Sequence, residues 1–298
     1  MKISVVSGRN PQLSEELDID EACTLADLMK KYRPRVDVNR QSFKLTLPDT
    51  KTVTLDGLQK PLLDLGVKPG AVLQYKDLGP QISYRTVFVV EYAGPIAMML
   101  LFAARPGFVY ATGGGGGPKP FPTQTLLFIG LFVLHFVKRE LETFFVHKFS
   151  RPTMPLMNIF KNSMYYWSFA AFIGYFLCHP HYTPTSWTQS VVCAGLMGLF
   201  ELGNFLVHVQ LSSMRRADGD TSRAVPGGPL FALVSCPNYT FEVLSWVAFS
   251  AGTSIAYSWA FTVVGLLQMT QWALKKHAGY VKGDSRVRSK KSIIPFII

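Results

Sequence analysis

Charge is scarce in this chain. Only 16% of its 298 residues are Asp, Glu, Lys or Arg, against about a quarter in soluble domains, which argues against a wholly soluble protein. The shortage is local, because residues 1–78 read as an ordinary soluble module and the apolar excess starts near Val87. Cysteine is scarce as well. Cys23, Cys178, Cys193 and Cys236 show no paired spacing and no CxxC, so neither a disulfide framework nor a zinc site is expected. Met1 to Arg9 lacks a long apolar core, and no cleavable signal peptide is expected. The net charge of +11 would suit nucleic acid, but the basic residues flank apolar segments and fill the tail, so membrane topology accounts for them and no nucleic-acid partner is expected. The glycine run Gly113–Gly117 lacks the Lys-Ser/Thr of a phosphate loop and reads as a non-cytosolic linker.

What is present falls into two parts. Residues 1–78 alternate like strands at Lys2–Ser7, Ser42–Leu47, Thr52–Leu55 and Ala71–Tyr75, with a strand-like piece at Pro61–Leu65. Leu25, Leu28 and Met29 have helical spacing behind Thr24, a candidate N-cap. This order resembles a ubiquitin-like α+β fold and predicts a cytosolic domain. Residues 79–298 hold apolar segments near 86–104, 124–145, 163–178, 187–211, 229–250 and 253–274, most of them near the ~20 residues that cross a bilayer. Lys and Arg gather in 146–162, in 212–228 and beyond 275, whereas 178–186 and 250–254 contain none. That alternation predicts a multi-span α-helical membrane protein with six transmembrane helices and both termini cytosolic.

Several polar groups sit where lipid should be. Asn238, Tyr239 and Glu242 fall in the middle of the segment 229–250. An ionisable side chain there is costly and faces a cavity or the bundle interior. Asn238 and Glu242, four apart, share one helix face, with Ser235 close by. Glu201, Asn204, His208 and Arg215 form a stripe within about 60° on the fourth segment. It reads as a solvated cleft, with helix–helix glue as the alternative, and Arg215 suits an anionic ligand such as a nucleotide phosphate. Glu91 precedes Pro95, which withholds a backbone donor in the same turn. Lys138, Arg139, Glu140 and Glu142, with His147 and Lys148, are either boundary salt bridges or a cofactor mouth. Cys178-His179-Pro180-His181 offers metal ligands only in a short loop, so no metal is assigned. The sequon Asn238-Tyr239-Thr240 lies inside a span and is expected to be unmodified.

These residues carry a resemblance. Lys138-Arg139-Glu140-Leu141-Glu142-Thr143, Val146-His147-Lys148-Phe149-Ser150, Thr153-Met154-Pro155, Asn158 to Asn162, Gly203-Asn204-Phe205, Ser235 to Glu242 and Ile294-Pro295-Phe296 are similar to the very-long-chain trans-2-enoyl-CoA reductases. The C-terminal half resembles the wider steroid 5α-reductase family, in which a polar membrane cavity holds NADPH. The resemblance implies an endoplasmic-reticulum enzyme that performs the last reduction of fatty-acid elongation on a long-chain enoyl-CoA, beside membrane lipid and other elongation enzymes. It implies Tyr239 as the catalytic tyrosine with Glu91 as its carboxyl partner, and Asn204, His208, Arg215, Asn238, Glu242, His277, Tyr280 and Lys290 as cofactor-binding residues. The steroid reductases have an acidic residue where His208 falls and an arginine near Lys290.

Reducing a double bond conjugated to a thioester needs a hydride at C3, charge stabilisation at the carbonyl and a proton at C2. A tyrosine, with a free pKa of ~10, is protonated at neutral pH and can donate. Tyr239 therefore supplies the proton or stabilises the enolate, with Glu91 behind it. Reduction of a steroid enone or a polyprenol, a catalytically idle scaffold and a transporter are the competing readings. No internal repeat or pair of broken helices supports the last.

Overall fold

A computed structural model describes residues 1–8, 10–47, 51–110, 120–215 and 224–298. The run Gly113–Gly117 lies outside the described residues. In chain order the elements are β1 (Lys2–Ser7), β2 (Glu15–Asp18), α1 (Leu25–Tyr32), β3 (Gln41–Thr46), β4 (Thr52–Thr54), β5 (Val72–Asp77) and β6 (Gln81–Ser83). They are followed by α2 (Tyr84–Ala103), α3 (Gly107–Tyr110), α4 (Thr123–Phe145), β7 (Thr153–Pro155), α5 (Met157–Leu177), α6 (Trp187–Ser213), α7 (Pro237–Thr253) and α8 (Ala256–Gly283). The chain divides into two compact units, one of Met1–Tyr84 with Arg151–Asn158 and one of Arg85–Ser150 with Ile159–Ile298.

The first unit is built on a sheet of order β2-β1-β5-β3-β4, with β1 and β5 parallel and the other pairs antiparallel. This β-grasp-like order follows from the alternation. Ile3, Val5, Phe43, Leu45, Leu73 and Tyr75 point inward to meet Leu25, Leu28, Met29 and Tyr32 of α1. The helix starts at a capping box, in which Thr24 accepts from the Asp27 amide and Asp27 accepts from the Thr24 amide. That arrangement satisfies donors left open at a helix start. At the other end Gln41 Nε2 donates to the carbonyls of Met29, Arg33 and Val36. Two features depart from the sequence reading. β2 carries Glu15, Glu16 and Asp18, so no apolar alternation announced it; it forms by pairing with β1. Pro61–Leu65 is a turn, anchored by a single bridge between Thr24 and Pro61. A short ladder of β6 with β7 completes this unit.

The second unit is helical, and its long helices cover the apolar segments. Two of them, α2 and α6, are long and apolar enough to cross a membrane. α7 has 17 residues, about 25 Å at 1.5 Å per residue, which is short of a ~30 Å hydrocarbon layer. α4 carries Lys138, Arg139, Glu140 and Glu142 in its C-terminal turns. α5 begins at Met157, so the third segment is longer than its apolar part suggested. Apolar helices gain little from one another in lipid, so close fit and polar contacts decide how they pack. Gly94 is one such contact: a Cβ there would stand 1.8 Å from Trp167 Nε1, and the indole donates to Val90 O at 3.1 Å. The aromatic core of Phe128, Phe132, Phe136, Trp246, Phe249 and Phe261 is buried between α4, α7 and α8.

The segment 229–250 is corrected. Residues 229–231 form a single 3-10 turn after Gly228 (φ 93°), and α7 begins only at Pro237. Pro at N1 fits a helix start because its missing N–H would have no partner there. Asn238, Tyr239 and Glu242 therefore occupy the first two turns of α7 and not the middle of a span. Acceptors there benefit from free backbone N–H groups and from the positive end of the helix dipole.

Candidate active site

The site is built on one face of α4. His135, Lys138, Arg139 and Glu142 are spaced three, four and seven apart, so their side chains leave the helix on the same side. They meet the stripe on α6. Lys138 Nζ donates to Glu201 Oε2 and to Asn204 Oδ1, both at 2.7 Å. His135 Nδ1 lies 2.8 Å from Glu201 Oε1. Asn204 Nδ2 then reaches α7, donating to the Asn238 carbonyl at 2.9 Å and to Glu242 Oε2 at 3.1 Å. Glu242 Oε1 also accepts from Trp246 Nε1 at 3.2 Å. One amide on α6 thus ties the main chain of the first turn of α7 to the carboxylate of the second. Both hydrogens of Asn204 are spent, and its oxygen is taken by Lys138.

A second cluster continues toward the end of α4. Arg139 Nη1 donates to Glu142 Oε2 at 2.6 Å and lies 3.2 Å from His208 Nδ1, which is itself 3.0 Å from Glu142. Arg139 Nη2 donates to the Tyr92 hydroxyl at 3.0 Å. His147, just beyond α4, is held down to about 3 by burial, with the nearby Arg139 charge adding to it. Its Nδ1 and Glu142 Oε1 are buried without a hydrogen-bond partner. Ligand atoms of Glu142, His147 and His208 lie within 4.8 Å of one another. The Arg139 guanidinium already bonds this carboxylate, and Lys138 Nζ stands 3.6 Å from it. Two fixed cations beside the cluster disfavour a metal ion, and no metal is assigned to it.

The remaining candidates are not all brought together. Arg215 lies past the end of α6 and not on its stripe: its guanidinium bonds the Lys148 carbonyl, and Lys148 Nζ donates back to Arg215 O at 2.7 Å. Glu91 is buried on α2 and accepts from Asn162 Nδ2 at 2.7 Å. Tyr239 faces α8, where Lys276 Nζ stands 4.6 Å from its ring centroid and Trp272 packs beside it. Among the described residues no hydrogen bond joins Tyr239 to Glu91: one residue around α7 turns the phenol toward α8, while the Glu242 carboxylate meets α6. His277 Nδ1 is 2.8 Å from Ser235 Oγ. Tyr280 and Lys290 converge with Ser235, Phe231 and Val287, and Lys290 Nζ donates to Phe231 O at 2.8 Å. Lys290 also lines a cavity of about 340 Å³ with Val225, Asp284 and Arg286.

The C-terminal tail fixes the approach to α7. Ser235 and Cys236 amides donate to the carbonyls of Lys291 and Ser292, and Thr240 Oγ1 donates to Ile293 O at 2.5 Å. Sequence reasoning missed His135, Trp246, Lys276 and Asn162 as partners of the candidate residues. For His135 the signal was available: its three-residue spacing to Lys138 continues the polar face of α4.

Residues 152–298 match the family described as 3-oxo-5-alpha-steroid 4-dehydrogenase. The chain is 54% identical over the full length of both chains to a Trypanosoma brucei brucei protein named "Putative enoyl-CoA reductase". It is 38% identical, over 99% of each chain, to the very-long-chain enoyl-CoA reductase of Dictyostelium discoideum. With identity of this degree running from end to end, and with the polar cluster lying in the shared helical part, the chain belongs to the very-long-chain enoyl-CoA reductase family.

Proposed function

We propose that this chain reduces the C2–C3 double bond of very-long-chain trans-2-enoyl-CoA, the last step of the fatty-acid elongation cycle, in the endoplasmic-reticulum membrane. The observation that carries the reading is the network of buried His135 and Asn204 with half-buried Lys138, Glu201 and Glu242 among apolar helices, in a chain akin throughout to enoyl-CoA reductases. So many charged groups in such surroundings mark a site more readily than a packing core. Residues 1–78 form the cytosolic domain and 79–298 the membrane-embedded reductase, in six spans with both termini cytosolic. Other elongation enzymes would meet the chain on its cytosolic side.

The donors and acceptors suit a nicotinamide cofactor, and we take it to be NADPH. Glu242 keeps an unused lone pair on Oε2 for an amide N–H. His147 Nδ1, buried and unpartnered, is a further polar group without a protein partner. Arg215, His277, Tyr280 and Lys290 supply the cations and hydroxyl that phosphates and ribose require. Asn204 and His208 are engaged by protein partners and hold the others in place. When bound, the cofactor supplies the hydride for C3. Tyr239 donates the proton at C2 or stabilises the enolate oxygen, with the Lys276 ammonium 4.6 Å from its ring centroid. Glu91 acts from the other side of bound substrate and not by contact with Tyr239. The acyl chain lies along the apolar helices, next to lipid.

Microsomes carrying Tyr239→Phe should lose about 10²- to 10⁴-fold of reductase activity on a long enoyl-CoA. Full activity in that variant would end the assignment. The match of residues 152–298 to a steroid dehydrogenase description keeps a steroid enone as the second substrate to compare, and NADPH oxidation with each substrate separates the two readings.

A further inference from the structure

We infer that His135 is a positioning residue for the cofactor, an imidazole that holds Glu242 in place from behind. The inference rests on the proposed role of Glu242 as a cofactor ligand. His135 is buried and clamped on both sides: Nδ1 lies 2.8 Å from Glu201 Oε1, and Nε2 lies 3.4 Å from Glu242 Oε1. The ring plane is fixed as well, edge-on to Phe136 at 4.8 Å and to Trp246 at 4.7 Å between centroids.

Glu201 is itself anchored by Lys138, so the order of support runs from α6 through the imidazole to α7. On Glu242, Oε1 accepts from Trp246 and faces His135 Nε2 at 3.4 Å, and Oε2 accepts from Asn204. A carboxylate offers about four lone-pair sites. Two are filled by hydrogen-bond donors and the imidazole covers a third direction, which leaves one, on Oε2, for a ligand. Removing the ring behind Oε1 takes away one of the three groups that confine the carboxylate and widens the range of directions open to that lone pair.

The two ring nitrogens can be tested separately, because the amide nitrogen of Asn stands near Nδ1 and that of Gln near Nε2. His135→Asn keeps the Glu201 contact and loses the one to Glu242; His135→Gln does the reverse. Dissociation of NADPH, followed by nicotinamide fluorescence on the full chain in detergent, should weaken about tenfold more in His135→Asn than in His135→Gln. Thermal unfolding of both variants gives the folding control. Equal losses in the two variants would mean a packing role only and would overturn the inference. Glu242→Gln separates this result from the reading beneath it. If Glu242→Gln weakens binding and His135→Asn does not, His135 alone is misassigned; if Glu242→Gln binds as the parent chain does, both fall. Should His135→Asn not fold, Glu201→Gln loosens the same ring from its other side. An unchanged dissociation constant there also overturns the inference.

Discussion

Asn204 on α6 and Glu242 on α7 are joined by a 3.1 Å hydrogen bond in which the amide donates and the carboxylate accepts. The same amide donates its second hydrogen to the Asn238 carbonyl, so a single side chain holds the first two turns of α7 against α6. Replacing Asn204 by Asp turns a donor into a second carboxylate facing Glu242. Asn204→Asp should lower stability by about 3 kcal/mol, the range for leaving buried polar groups opposed. Thermal unfolding of the purified protein checks this, and a midpoint equal to that of the parent would contradict it.

The approach of Trp167 to Gly94 leaves no room for a side chain. Gly94→Ala should push the indole off Val90 O and cost about 1–3 kcal/mol by overpacking. Trp167→Phe in the same chain removes the clashing atom and should recover part of the loss. An additive double variant would show that the two residues do not share this contact.

Burial, reinforced by Arg139, holds His147 down to about 3, from an ordinary value of 6.5. The unfolded chain takes up a proton near 6.5 that the folded chain refuses. Stability is therefore full above that value and falls as the pH drops toward 3. The unfolding midpoint should decline between about pH 7 and about pH 5, and His147→Gln should flatten the decline. A slope that survives the substitution would assign it to other groups.

In the first unit, the Thr24 hydroxyl and amide hold the Asp27 carboxyl below its ordinary 3.8. The stabilisation is present above that value and is lost as the pH falls through the lowered one. Thr24→Ala should speed hydrogen exchange in the first turn of α1 about fivefold, the effect of one lost cap. Unaltered exchange in the intact chain would show that the cap carries no weight.

How far the sequence reached can be followed residue by residue. β1 and α1 were legible because their apolar residues repeat at two and at three to four. β2 was not, since an edge strand with Leu17 as its single inward apolar residue shows no alternation. Asn238 and Glu242 were legible as neighbours because four residues make one turn. Their place at the start of α7 was hidden: Pro229 and Pro237 both fit a helix start, and hydrophobicity does not distinguish a 3-10 turn from a span. Tyr239 was expected toward Glu91, but helix geometry fixes only its angle to Glu242. Which neighbour fills that direction depends on α8, and Trp272 and Lys276 fill it. The ionic partners of α4 were legible as a cluster but not as pairs, because pairing is set by how α4 and α6 cross.

The pairing of Ser235, Cys236 and Thr240 with Lys291, Ser292 and Ile293 carries a consequence for biogenesis. Thr240 finds its partner 53 residues later in the chain. While a ribosome is still translating α8, the residues that lead into α7 lack their backbone partners in the tail. The start of α7 is therefore completed only after the last residues of the chain have been made, so this corner of the fold closes late in synthesis whatever the order of the earlier helices.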